Sequence, residues 1–312
     1  MKKIKLKIHS SGLGPKVFVN RLCDSLTANF PVRVVDRREH IYLSCVWGGS
    51  DKFKKSIWVH RADGVYFDKA RSGRTVMNKR IRKTIQRCDA VIFQSEFSKK
   101  ICAGVIDSTK EEHRIIYNGC DPEFYNNVPE NKMGYKKMLV ACARWVPLKR
   151  PMSIVRGFIN ADLDDTVLVM IGKIRDEKRI DHPNVKYLGS IKPSETYKYY
   201  ANCDGVIHIS RLDACPNAVV EALCAGKPVL TNNVGGTREL VQDDGIIIDI
   251  DPVYNYTAFK MKKVDKIDTQ KVSQGMKDLL SREWSIDRPD LHIDHVAKQY
   301  YNYFRYLIQN KC

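Results

Sequence analysis

Short runs of Val, Ile and Leu alternate along this chain with longer stretches of helical spacing, and the cycle repeats over most of its 312 residues. A strand that reads as apolar on both faces belongs inside a parallel sheet covered by helices on each side, so the alternation points to doubly wound α/β structure. The candidate strands of a first such domain are residues 4–8, 33–35, 42–46, 57–59, 90–94 and 114–117, with helical spacing over 17–28 and 79–87. Residues 121–137, DPEFYNNVPENKMGYKK, carry Pro, Asn and Gly without apolar periodicity and read as a linker. The alternation then restarts: strand 138–143, helix 152–160, strands 167–171 and 185–188, helix 194–202, strand 205–209, helix 217–225 and strand 228–231. Two α/β domains in series follow, over 1–134 and 135–291. The tail places Val296, Tyr300, Tyr303, Phe304 and Leu307 on one stripe, so residues 292–312 form an amphipathic helix that packs back on the first domain rather than serving as a membrane foot.

The apolar and charged fractions, 43% and 29%, are those of a folded globular protein and exclude a disordered chain. No apolar run has the length of a membrane span, and the opening MKKIKLKIHS alternates Lys with Ile and Leu instead of presenting a signal-peptide block, so a cytoplasmic location is expected. The net charge of +17 is uneven: residues 1–130 hold 25 Lys+Arg against 14 Asp+Glu, and the rest hold 28 against 22. A field of that sign favours anionic partners, whether phosphorylated substrates, an acidic membrane surface or nucleic acid.

The ten cysteines are scattered through apolar segments without a C-x-x-C pair and read as small buried hydrophobes. His292-x-x-His295 has metal-like spacing but falls on the tail, where an exposed helix face accounts for it, and Asp162-Leu163-Asp164-Asp165 falls between a helix and a strand, where a solvated turn accounts for it. No metal site is expected.

In parallel sheets ligands bind beyond the carboxyl ends of the strands, which directs attention to the turns. The stretch DACPNAVVE, residues 213–221, lies between an apolar strand and an apolar helix. On one helix two acids eight residues apart would be separated by about 12 Å and point in different directions. With Asp213 in the loop and Glu221 about one turn into the helix, both can face one elongated pocket across the helix N-terminus. Pro216, which has no N–H to leave unpaired, opens the helix with Asn217 and Ala218; the free N–H groups of that helix terminus and its dipole suit a diphosphate, and the flanking carboxylates suit sugar hydroxyls.

The stretch DACPNAVVEALCAGKPVLTNNVGGTREL resembles the E-x7-E region of family 4 glycosyltransferases, with Asp213 in place of the first Glu and Glu221 matching the second. The resemblance implies a GT-B fold, two Rossmann-like domains facing a central cleft, and a retaining, metal-independent transfer from a UDP- or GDP-sugar. By that resemblance Asp213 orients the transferred sugar and Glu221 binds the ribose. Residues 143–149, ARWVPLK, resemble the segment whose Arg and Lys neutralise the leaving diphosphate, which assigns Arg144 and Lys149; Ala143 and Arg150 stand where glycines are usual. Gly235 and Gly236 resemble the glycine turn near the donor, and Gly12, Gly14 and Pro15 the loop that approaches phosphates and acceptor. Residues 116–121, IYNGCD, resemble the N-G-V-D closing the first domain. His60, at a strand end, is a candidate contact of the reacting sugar, with Arg61 and Asp63 as further acceptor-side candidates. Base selection falls to backbone near Lys186, Tyr187 and Leu188. No cofactor is expected beyond the nucleotide sugar, and the acceptor is expected to be anionic or membrane-associated. Two alternatives stand beside this one: an enzyme that glycosylates modified nucleic-acid bases, and a non-catalytic nucleic-acid-binding protein on the same scaffold, although the basic half lacks the aromatic interleaving of a single-strand binder.

Overall fold

The structure, a computed structural model, describes residues 3–10, 13–46, 54–67, 72–258 and 267–311. It divides into two compact units: Met1–Asp121 with Tyr254–Lys263 and Asp290–Cys312, and Pro122–Val253 with Val264–Pro289. The change of unit comes at Asp121–Pro122, at the start of the 121–137 linker and before the domain bound of 134. Residues 122–134 belong to the second unit because side chains fasten them there: the Asn131 amide donates to Asn202 Oδ1 at 2.7 Å, Asn202 Nδ2 donates to the Pro129 carbonyl at 3.1 Å, and the Phe124 and Tyr197 rings lie 6.5 Å apart.

The first unit runs β1 (Ile4–His9), α1 (Leu13–Asn29), β2 (Val32–Val34), β3 (Ile41–Cys45), β4 (Ile57–Ala62), α2 (Ser72–Arg87), β5 (Ala90–Phe93), α3 (Glu96–Ile106) and β6 (His113–Ile115). Its strands are parallel in the order β2-β1-β3-β4-β5-β6. Helix α3 escaped the reading of the sequence because its cap is built from two serines: Ser98 N donates to Ser95 Oγ at 3.0 Å and Ser95 N to Ser98 Oγ at 3.1 Å.

Helix α9 (Ile293–Lys311) closes this unit. Its stripe of Val296, Tyr300, Tyr303, Phe304 and Leu307 is buried among Phe18, Leu22 and Leu26 of α1 and the strand residues beneath them. Tyr301 stacks on Phe30 at 4.9 Å, Ser25 Oγ donates to Asp294 Oδ1 at 2.6 Å, and Tyr303 OH donates to Glu112 at 2.9 Å. His292 is not on the helix; it precedes it and bridges to Cys120.

The second unit runs β7 (Lys137–Cys142), α4 (Pro151–Ala161), β8 (Thr166–Ile171), β9 (Val185–Gly189), α5 (Pro193–Asn202), β10 (Gly205–His208), α6 (Asn217–Cys224), β11 (Val229–Asn232), α7 (Thr237–Val241), β12 (Gly245–Ile248) and α8 (Thr269–Ser281). All pairings are parallel, in the order β12-β11-β10-β7-β8-β9. Strand succession reverses between β7 and β10, so the two turns that follow these neighbouring strands diverge and leave room for a ligand. Among the described residues no helix is long and apolar enough to cross a membrane.

Because α9 supplies a large share of the first unit's apolar interior, Phe304→Ala is expected to cost about 3–5 kcal/mol of stability, read from urea unfolding. A loss below about 1 kcal/mol would mean that the helix is not part of that core.

Candidate functional site

The second unit gathers its polar side chains at the carboxyl edge of the sheet, around the reversal between β7 and β10. After β7 the chain passes Arg144, which is exposed, makes a single 3₁₀ turn over Pro147–Lys149 and enters α4. After β10 it passes Arg211 and Leu212 to reach Asp213. Two backbone hydrogen bonds tie these loops together: Arg211 N donates to the Leu148 carbonyl at 3.0 Å, and Gly236 N, from the loop after β11, donates to the Asp213 carbonyl at 2.8 Å. The second staple requires glycine next door. Gly235 has φ +102°, and a Cβ there would stand 3.1 Å from the Asp213 carbonyl oxygen.

On this scaffold Lys149 Nζ donates to Asp213 Oδ2, and His208 Nε2, from the last residue of β10, lies 2.8 Å from the same oxygen. Burial opposes ionisation of Asp213, but Lys149 and then His208 outweigh it and hold the carboxyl well below the ordinary carboxylate range. Burial pulls the His208 ring below its ordinary value against the opposing pull of Asp213. An ionised carboxylate can only accept, so the neutral ring carries its proton on Nε2.

Glu221, the fifth residue of α6, is buried on the inward side, near Cys142 at the end of β7 and Tyr200 of α5. Burial pushes the Cys142 thiol up to about 12, and the Glu221 charge adds to that; the Tyr200 phenol is raised by burial and by the Cys142 and Glu221 charges. Pro216 is the N-cap of α6 rather than its first helical residue, and it provides no side-chain cap. Ala218 lies in the first turn behind it.

Beneath Lys149 lies an arrangement that the sequence did not disclose. Arg150, 4% exposed with φ +52°, directs a two-pronged guanidinium onto Asp251: Nη1 to Oδ2 at 2.8 Å, and Nη2 to Oδ1. Asn232 Nδ2 donates to the same carboxylate at 2.7 Å, and Arg211 Nε approaches it at 3.7 Å. Residues following β7, β10 and β12 thus meet the last residue of β11 on one buried carboxylate. A polar residue at the end of an apolar strand, as in GVIH and VLTN, or an acid just after GIII, was the available signal for His208, Asn232 and Asp251.

Lys186, Tyr187 and Leu188 lie on the edge strand β9. Lys186 Nζ donates to the Pro183 carbonyl at 2.8 Å, and the Tyr187 hydroxyl bonds back to Ile180 while Arg179 covers its ring at 5.2 Å. An open pocket of about 370 Å³ lined by Lys137, Asp204, Lys227, Arg282 and Trp284 lies at the opposite, amino-terminal edge of this sheet, away from the candidate residues.

In the first unit His60 is not at a strand end: β4 continues through Ala62. Its ring is fully buried, with Nδ1 3.0 Å from Ser44 Oγ and 3.1 Å from the Ser44 carbonyl, and burial pulls it down to about 3, leaving it uncharged. Arg61 is also enclosed; it bonds Asp63 and Asn118 and lies over the Phe18 ring at 4.5 Å, while Gln94 supports Asp63. Gly12 lies outside the described residues, Gly14 is in the first turn of α1, and the side chain of Pro15 also lies outside the described part.

With this geometry in place, comparison with known proteins is informative. Residues 137–259 match the family described as glycosyl transferases group 1. An uncharacterized glycosyltransferase of Methanocaldococcus jannaschii is 23% identical over 213 residues, 61% of this chain and 53% of that protein. The chain spans about half the length or less of the curated relatives it matches. Sucrose-phosphate synthase of Thermosynechococcus elongatus has a TM-score of 0.71 at 12% identity, covering 99% of this chain and 100% of that one. HepE of Anabaena, in complex with UDP-glucose, has a TM-score of 0.62 at 16% identity, covering 97% and 99%. The fold is GT-B.

Replacing Arg150 by glycine relieves a left-handed backbone worth about 1–2 kcal/mol but strands a buried carboxylate at about 3–5 kcal/mol. Arg150→Gly is therefore expected to lose about 2 kcal/mol in urea unfolding, and adding Asp251→Asn should return part of it. A single variant as stable as the parent would refute the clamp.

Proposed function

We propose that this protein is a retaining glycosyltransferase that moves a sugar from a nucleotide-diphosphate sugar to an acceptor hydroxyl, without a metal ion. The observation that carries this reading is the meeting of Lys149 and Asp213 at the reversal point of the second sheet, a cation and an acid that share one oxygen contact beside α6. A departing diphosphate develops charge in the transition state, and fixed cations aimed at it lower that barrier. Arg144 and Lys149 supply them, with the uncapped N-terminus of α6 behind Pro216, Asn217 and Ala218 as the third positive element. Asp213 accepts hydroxyls of the transferred sugar and Glu221 those of the ribose, while Gly235 and Gly236 let the backbone approach the donor. Lys186, Tyr187 and Leu188 present the backbone that reads the base. The UDP-glucose complex of the structurally similar HepE supports a nucleotide sugar as the donor.

Retention follows from the family resemblance, with the departing phosphate helping to take the acceptor proton on the same face of the sugar. Asp63 and the residues around it, with Pro15, are assigned to the acceptor, and Gly12 and Gly14 to the donor. His60 and Arg61, both enclosed, act as the support of that segment rather than as its contact surface.

Lys149→Ala is expected to lower transfer about a hundredfold, the scale on which one fixed charge-stabilising donor acts. Glu221→Ala should weaken donor binding in a thermal-shift series of UDP, GDP, ADP and their sugars, and EDTA should leave turnover unchanged. Unchanged transfer and donor hydrolysis in both variants would overturn the reading.

The acceptor is proposed to be a lipid-linked glycan at an anionic membrane surface. Helix α2 carries six Arg or Lys and no acid, and Lys79, Arg80, Arg82, Lys83 and Arg87 are exposed. Each basic residue near an acidic leaflet contributes about 1 kcal/mol, so the protein should float with acidic liposomes and not with neutral ones. Equal recovery with both, or with neither, removes the membrane from the proposal.

A further inference from the structure

His208 has no role in the reading above, yet it is firmly built into the site. The ring is 4% exposed, its backbone pairs with Thr231 of β11, and its carbonyl accepts the Thr231 hydroxyl at 2.9 Å. It reaches Asp213 Oδ2 at 2.8 Å, the oxygen that Lys149 also holds. Among the described residues no hydrogen bond falls on Oδ1, and the Asp213 side chain is 24% exposed. A carboxylate offers about four lone-pair sites over two oxygens, so two donors on one oxygen leave the other with its capacity unused.

The backbone of residue 213 cannot shift to adjust this. Gly236 N holds its carbonyl at 2.8 Å, the backbone at Gly235 packs against it so closely that a Cβ there would lie 3.1 Å from that carbonyl oxygen, and Leu212 before it sits at φ +65°. The reach of the side chain therefore decides where the carboxylate sits. A glutamate at 213, as the family resemblance would have it, carries its carboxylate about 1.5 Å farther, one carbon–carbon bond, beyond the place where Nε2 can hold it.

We infer that His208 is a positioning residue for the sugar-binding acid: His208 and the shortened Asp213 form a matched pair in which the imidazole fixes Oδ2 and thereby presents Oδ1 to a hydroxyl of the transferred sugar. The inference rests on the assignment of Asp213 to that sugar. It makes His208 a determinant of donor-sugar recognition rather than of diphosphate binding, because Arg144 and Lys149 meet the diphosphate from a separate loop.

The test uses UDP, GDP, UDP-glucose and a set of other UDP- and GDP-sugars with the full-length protein. In His208→Leu, affinity for the bare nucleotide diphosphate should stay within about threefold of the parent, while the added affinity for the sugar nucleotide and its turnover fall about tenfold, the scale of one charge-assisted hydrogen bond. His208→Asn, which keeps a side-chain donor, should recover part of that loss. Asp213→Glu alone should also lose about tenfold, and Asp213→Glu with His208→Ala should recover, because removal of the ring gives the longer acid its space. Losses that multiply in the double variant, or a His208→Leu protein with unchanged sugar discrimination, overturn the pairing. A parent protein that responds to no nucleotide sugar overturns instead the reading on which the pairing rests.

Discussion

The carboxyl edge of the second sheet depends on one buried ion pair. Arg150 and Asp251 are both about 1% exposed at the side chain, and together they join the turn after β7 to the segment after β12, three strands away across the sheet. A buried pair of this kind is weak as a source of net stability, because desolvation cancels most of the attraction. Its value is geometric. Asn232 and Arg211 converge on the same carboxylate, so the loops that carry Lys149 and Asp213 have few alternative arrangements. Arg150 stands where the family resemblance has glycine, and its backbone keeps the left-handed conformation that glycine would favour. The side chain compensates for that conformation through the clamp.

Above this clamp the site is assembled from backbone staples first and charges second. The Leu148–Arg211 and Asp213–Gly236 hydrogen bonds bring three loops together without any ligand. Lys149 and Asp213 then satisfy each other in a partly exposed position. On the proposed reading, opposite charges in that arrangement would exchange partners without leaving a bare ion, an incoming diphosphate taking the cation while His208 keeps the acid in place. Preorganisation of this sort is what electrostatic stabilisation of a leaving group requires, since the groups need not reorganise as charge develops.

The first unit has a polar seam of another kind. Ser44 bonds both Trp58 and His60 within the first unit's core, and Arg61, Asp63, Gln94 and Asn118 form a second network beside them. Among the described residues His60 Nε2, Arg61 Nε and Asp63 Oδ2 find no hydrogen-bond partner although they are buried, a cost that these networks carry. From the sequence, a histidine near the end of an apolar strand looks like a group presented to a ligand. The strand runs two residues further, which places His60 within the sheet and turns its ring toward Ser44.

Periodicity alone was enough to determine two parallel α/β units in series, because a strand buried on both faces must be apolar throughout and helices must cover it. The turn residues of 213–221 and 235–236 likewise marked the carboxyl edge, since Pro, Asn and Gly interrupt helices and strands for local steric reasons. Only the tertiary structure decided which side chains meet. The contacts of Arg150 with Asp251 span 101 positions and those of Lys149 with Asp213 span 64, separations over which local spacing carries no information. It also decided that residues 122–134 join the second unit and that Arg150, rather than glycine, can occupy a left-handed turn, because both follow from partners brought in by strand order and not from neighbours in the chain.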